Sequence, residues 1–122
     1  MKTARIISWI LIALLAIAYF GSGLTKLLGL EMQVQNFKSW GYPEWMMYPV
    51  GLGEIAIAAA LVFFRPRLYV VYGIYAWAVV AVITHLQAGQ ASMIGGPLVF
   101  AVLNTLLLFS LKKMEQRATS MT

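Results

Sequence analysis

The sequence predicts an all-α integral membrane protein, a four-helix bundle with both termini cytoplasmic. Three observations lead there. Of 122 residues, 61% are hydrophobic and only 11% are charged, against about 25% charged in soluble domains. The mean hydropathy is +0.81. The apolar residues fall in four runs, and basic residues gather at the ends of those runs. A small globule exposes much of its surface, and this chain has too few polar residues to cover it. Disorder needs low hydrophobicity and high charge, the reverse of what is found. Residues 1–122 read as one domain with room for four spans of about 20 residues.

The first span is Ile6 to Leu24, bracketed by Arg5 and Lys26. The second runs from Met46 to Phe64 and holds one acid, Glu54. The third runs from Leu68 to His85. The fourth runs from Gly95 to Leu111 and is closed by Lys112 and Lys113. At 17 to 19 residues, each is about 26–29 Å long as a helix, near the ~30 Å hydrocarbon core. Barrel strands would alternate apolar and polar over about ten residues, and these runs are continuous. Lys2 and Arg5 followed by Ala16-Ile17-Ala18 resemble a cleavable leader. The apolar run continues through Tyr19, Phe20 and Leu24, which favours a retained span.

Charge sets the expected orientation. Lys2, Arg5, Arg65, Arg67, Lys112, Lys113 and Arg117 fall on one side, and Lys26 and Lys38 on the other. The richer side faces the cytoplasm, which places both termini there, in a bacterial inner membrane. Arg65-Pro66-Arg67 predicts a tight hairpin between spans two and three, with Tyr69 and Tyr72 as interfacial anchors. The outer loop, residues 27–45, is the longest connection. Leu30, Val34 and Phe37 stand at i, i+4 and i+7, with Glu31, Gln35 and Lys38 off that face. This suggests a helix resting on the membrane surface; the alternative is an irregular loop. Trp40, Tyr42, Trp45 and Tyr48 would form an aromatic belt. Pro43 and Glu44 suit the start of a helix. The polar tail Met114 to Thr122 is expected to fray.

Composition excludes several chemistries. There is no cysteine and no aspartate, and there is one histidine. Disulfides, thiolate sites and Ser-His-Asp catalysis are therefore absent, and no metal site is expected. The net charge of +5 belongs to membrane flanks, so no nucleic-acid partner is expected. Gly21-Ser22-Gly23 has no strand before it and is no phosphate loop. Small multidrug exporters carry a glutamate in their first span, which this first span lacks.

The informative residues are polar groups inside lipid. Glu54 lies about 12 Å below the outer end of its span. A charge at such depth costs about 2.5–3.5 kcal/mol, so Glu54 should face the bundle interior. Gly51 and Ala58 share its face, allowing close approach of a neighbour. Tyr19, Ser22 and Lys26 share one face of span one at i, i+3 and i+7. His85 ends span three beside Thr84 and Gln87, and Asn104 lies near the middle of span four. Lys26, Glu54, His85, Asn104, Ser22 and Tyr19 thus form a candidate polar cluster. Two readings compete. Lys26 and Glu54 form a structural pair, with Asn104 as interhelical glue; or the cluster lines a pocket for a small amphiphile such as a quinone head group. A proton path through Glu54 is a third, and it would need an oligomer. Tyr72, Tyr75 and Trp77 read as packing or interface residues.

Ala18 to Leu27, with Gly23-Leu24-Thr25-Lys26-Leu27 at its end, resembles the Gly-x-x-Lys-Leu close of span one in DoxX-like membrane proteins. Gly41-Tyr42-Pro43-Glu44-Trp45 and Gly51-Leu52-Gly53-Glu54 are similar to that family's Gly-Tyr-Pro turn and Gly-x-x-Glu. Thr84-His85-Leu86 also fits the family layout. The resemblance covers most of residues 5–112 and implies a four-helix membrane bundle. Some members are linked to thiosulfate:quinone oxidoreduction, others to membrane complexes handling oxidative stress. Lys26 and Glu54 match the family's charged positions, without an assigned role.

The expected function is a membrane subunit or binding module holding a lipophilic small molecule, a quinone being the candidate. No residue is assigned a catalytic role. Any electron transfer would need the bound quinone or a partner subunit carrying the cofactor. The alternative is an assembly protein that pairs with itself or another membrane protein through Ala13, Ala56, Ala60 and Gly73.

Overall fold

The computed structural model describes residues 2–120, with side chains as far as residue 116. The described residues form five α-helices and two short 3-10 turns, with no strand among them. They are α1 (Lys2–Leu27), α2 (Glu31–Trp40), α3 (Met47–Phe63), α4 (Arg67–Gln87) and α5 (Gly95–Ser120). Among the described residues, four segments are long and apolar enough to cross a membrane: Lys2–Leu27, Glu44–Phe63, Arg67–Gln87 and Ala91–Gln116.

The helix α1 is the spine of the bundle. Its buried residues are Ala4, Ser8, Leu11, Ile12, Leu15, Tyr19, Gly23 and Lys26. They recur every three or four positions, which is one stripe of a 3.6-residue helix. The helix α3 answers with Met47, Gly51, Glu54, Ala58 and Leu61. The core is closed by Ile12, Leu15, Leu61, Val71, Ile74 and Leu107. The opposite faces are apolar too: Ile6, Ile10, Leu14, Ile17, Leu52, Val79, Val102 and Phe109 are all exposed. A helix apolar on every side belongs in lipid, where outward leucines and isoleucines meet acyl chains.

The connections are built by local chemistry. Helix α1 ends at Gly29, whose φ of +67° lets Leu30 N–H reach back to the Thr25 carbonyl at 3.2 Å. Helix α2 ends the same way at Gly41, φ +78°, with Tyr42 N–H donating to the Phe37 carbonyl at 3.0 Å. The hairpin between α3 and α4 is short, as expected. Arg67 crosses it and donates to the Leu61 and Val62 carbonyls at 2.7 and 2.9 Å. It satisfies orphan acceptors at the end of α3 and lies 4.7 Å over the Trp9 ring. At the same end, Ser110 hydrogen-bonds to Ser8 and to the Ala4 carbonyl, tying α5 to α1.

Two segments are more definite than the sequence indicated. Beyond Met114 the chain is still helical, as α5 runs to Ser120, while residues 121 and 122 and the Arg117 side chain lie outside the described residues. The outer-loop helix exists as α2, and the residues it buries against the bundle are Gln33 and Phe37, whereas Leu30 is exposed and Val34 half-buried. Gln33 donates to Thr25 Oγ1 at 3.0 Å, so a polar residue is buried because it has a partner, and α2 folds across the end of the bundle.

Candidate functional site

The site begins with two glycines. A Cβ on Gly23 would stand 2.6 Å from the Gly51 carbonyl oxygen, and one on Gly51 would stand 2.8 Å from that of Gly23. Helices α1 and α3 therefore cross with their backbones touching. One turn beyond, Lys26 on α1 and Glu54 on α3 face each other across that crossing.

The Lys26 Nζ lies 2.7 Å from Glu54 Oε1. It also donates to Ser22 Oγ at 2.8 Å, and the Ser22 hydroxyl points between both Glu54 oxygens, 3.1 Å from each. The residues are only 7% and 6% exposed. Such a pair persists in a low-dielectric interior because each charge neutralises the other and a hydroxyl occupies remaining hydrogen-bonding positions. Thr25, bound to the Ser22 carbonyl at 2.8 Å, and Gln33 extend the network to α2.

Beside this triad opens a cavity of about 610 Å³, within the roughly 300–1,000 Å³ of small-molecule sites. Tyr19, Ser22, Lys26 and Glu54 make its polar wall. The other walls are apolar: Met46 and Val50 before and on α3, Gly73, Ala76, Trp77, Val80 and Ala81 on α4, and Gly96, Pro97 and Phe100 on α5. The Trp77 indole spans from α4 to α3, its tip 2.8 Å from where a Gly53 Cβ would sit.

The cavity has a fastened roof of Phe37, Trp40, Tyr42, Thr84 and His85. Phe37 and Trp40 meet at a tilt with ring centroids 4.9 Å apart, and the Trp40 ring meets His85 edge-on at 5.4 Å. Trp40 Nε1–H donates to Gln90 Oε1 at 2.9 Å. Because that oxygen is an acceptor, His85 Nδ1, also 2.9 Å away, carries the proton it shares. Gln90 Nε2 then reaches Ser39 Oγ at 3.1 Å, and Tyr42 pairs with Thr84 at 2.9 Å.

Four of the six candidate residues, Tyr19, Ser22, Lys26 and Glu54, therefore share one wall, and His85 joins the roof. Asn104 stands apart. It is fully buried, donates to the Val71 carbonyl at 2.9 Å and ties α5 to α4. Its Oδ1 has no hydrogen-bond partner among the described residues. Of the expected aromatic belt, Trp45 and Tyr48 are exposed, whereas Trp40 and Tyr42 roof the cavity. Trp77, read as packing, is a wall of it. Gln90 was not anticipated; it follows a glycine in a linker and belongs to no periodic pattern. No cluster of metal-binding side chains exists among the described residues.

The model of the DoxX-like family matches residues 10–107. The chain belongs to the DoxX-like family. The matched stretch holds Lys26, Glu54, His85 and every cavity-lining residue of this DoxX-like chain. No curated protein and no solved structure matches this chain.

Proposed function

We propose that this DoxX-like membrane protein is a binding module for a lipophilic small molecule, with a quinone as the candidate. The observation that carries the reading is the cavity itself. It is large and mostly apolar, it lies among the segments long and apolar enough to cross a membrane, and Tyr19, Ser22, Lys26 and Glu54 converge on one of its walls. A hydrocarbon portion would lie along α4 and α5, and a polar head against Tyr19, Ser22, Lys26 and Glu54. The chain would serve an oxidoreductase system as a membrane subunit, with the electrons supplied through a partner. The charge bias supports a roofed end that faces outside and termini that face the cytoplasm.

The test is mass spectrometry of lipids extracted from protein purified in mild detergent. Wild type is expected to carry one amphiphile at near-stoichiometric amount. Glu54→Gln should lose it, and so should Ala81→Phe, which fills the cavity without touching the ion pair. Size-exclusion profiles establish that each variant is folded. Folded wild type carrying only bulk phospholipid would overturn the reading.

A further inference from the structure

The hydrogen-bonding inventory of the polar wall narrows the ligand further. Lys26 and Glu54 engage each other, and Ser22 bridges them. Tyr19 is different. Its residue is 1% exposed, and its ring stacks on Phe100 at 5.1 Å. Its hydroxyl makes no hydrogen bond among the described residues, yet it is not among the enclosed polar atoms. It therefore meets the cavity. A hydroxyl with no protein partner that faces a cavity is a donor free for whatever occupies that cavity.

The route in is equally constrained. The roof is held by the bonds of Trp40, Tyr42, Thr84, His85 and Gln90. On the side, Gly73, Ala76 and Val80 line the cavity and are also exposed. They sit midway along α4, a segment long and apolar enough to cross a membrane, and in a bilayer acyl chains would surround them. A Cβ on Gly73 would meet nothing within 4 Å, so space continues outward there.

We infer that the cavity takes a single-chain amphiphile with an uncharged, oxygen-bearing head group that enters sideways from the bilayer. The Tyr19 hydroxyl bonds the head oxygen, and the chain leaves past Gly73 and Val80. This rests on the reading of the cavity as a ligand site and specifies the chemistry it selects. An anionic head would compete with Glu54 for Lys26 and strand a carboxylate in low dielectric. A cationic head would strand Lys26 in the same way. A hydroxyl or carbonyl accepts from Tyr19 and leaves the neutral pair intact.

The experiment uses the full chain in phospholipid nanodiscs with three photoactivatable probes: hexadecanol, hexadecyl sulfate and hexadecylammonium, each with a diazirine at mid-chain. Peptide mass spectrometry locates the label. Hexadecanol is expected to label Gly73–Ala81 at least tenfold above the level at lipid-facing Leu14 and Ile17. Tyr19→Phe, which removes one oxygen, should lower that labelling about fivefold, the value of one net hydrogen bond. Gly73→Trp, placed in open space, should block the outlet and abolish it. Equal labelling of this segment by the charged probes would overturn the head-group inference while leaving a ligand site. If no probe labels the segment above the lipid-facing background, the ligand reading itself falls.

Discussion

At the residue scale, the Lys26–Glu54 pair has the clearest energetic consequence. Replacing one member leaves the other charged and unpaired, which costs about 3–5 kcal/mol. Lys26→Met or Glu54→Leu should each lower the unfolding free energy obtained from a detergent titration by that amount. The double variant should recover most of the loss, because apolar side chains of similar volume suit the same space. Additive losses would show that the two side chains are not coupled. Asn104 should behave oppositely. Asn104→Leu gives up a contact worth about 0.6 kcal/mol, but it also removes a buried acceptor without a partner, worth about 1–3 kcal/mol. Stability should stay level or rise by about 1 kcal/mol, and a clear fall would contradict this account. The four residues of the polar wall were legible in the sequence, since an acid in lipid must face inward and the i, i+3, i+7 spacing aligns its partners. Gly23 and Trp77 were not. In an apolar run, nothing local says which glycine meets another backbone or which indole bridges a gap.

At the element scale, the crossing of α1 and α3 decides whether the wall exists. Gly51→Ala places a methyl 2.8 Å from the Gly23 oxygen and 3.0 Å from Lys26 Cβ. Backbone atoms cannot swing aside, so the helices must part. The expected cost is about 1–3 kcal/mol, accompanied by loss of bound amphiphile. Gly21→Ala, with nothing within 4 Å, is the matched control and should lose neither. The roof helix α2 illustrates a limit of periodicity. Its existence was readable, but a pattern of apolar spacing cannot register Gln33, which is buried through a hydrogen bond. Phe37 was read on the face that would meet the membrane surface; it lies instead over the bundle's own cavity.

At the scale of the whole molecule, the basic residues of the described chain divide by end. The start of α1, the Arg65 hairpin and the late part of α5 hold Lys2, Arg5, Arg65, Arg67, Lys112 and Lys113, and the roofed end holds Lys26 and Lys38. The asymmetry predicts that the first group is cytoplasmic. With no native cysteine, single substitutions report this cleanly. Ser39→Cys in α2 should react with an impermeant maleimide in intact cells, and Gln116→Cys in α5 only after permeabilisation. The reverse pattern would invert the topology. Span number and order were readable because a bilayer imposes length and polarity on each helix separately. A pocket was only one of two readings open in the sequence, because its walls come from α1, α3, α4 and α5 together beneath α2, which no single segment encodes.

The placement of the four tryptophans gives the molecule an optical readout of its own. Trp40 and Trp77 border the cavity, Trp9 lies under Arg67, and Trp45 is exposed. Replacing Trp9 and Trp45 with phenylalanine would confine the intrinsic fluorescence to two indoles flanking the bound molecule. A quinone is a strong electron acceptor, and at that range it would extinguish their emission. A saturated alcohol would shift the emission towards the blue by displacing water. The spectrum would therefore report both that the site is filled and which kind of head group fills it.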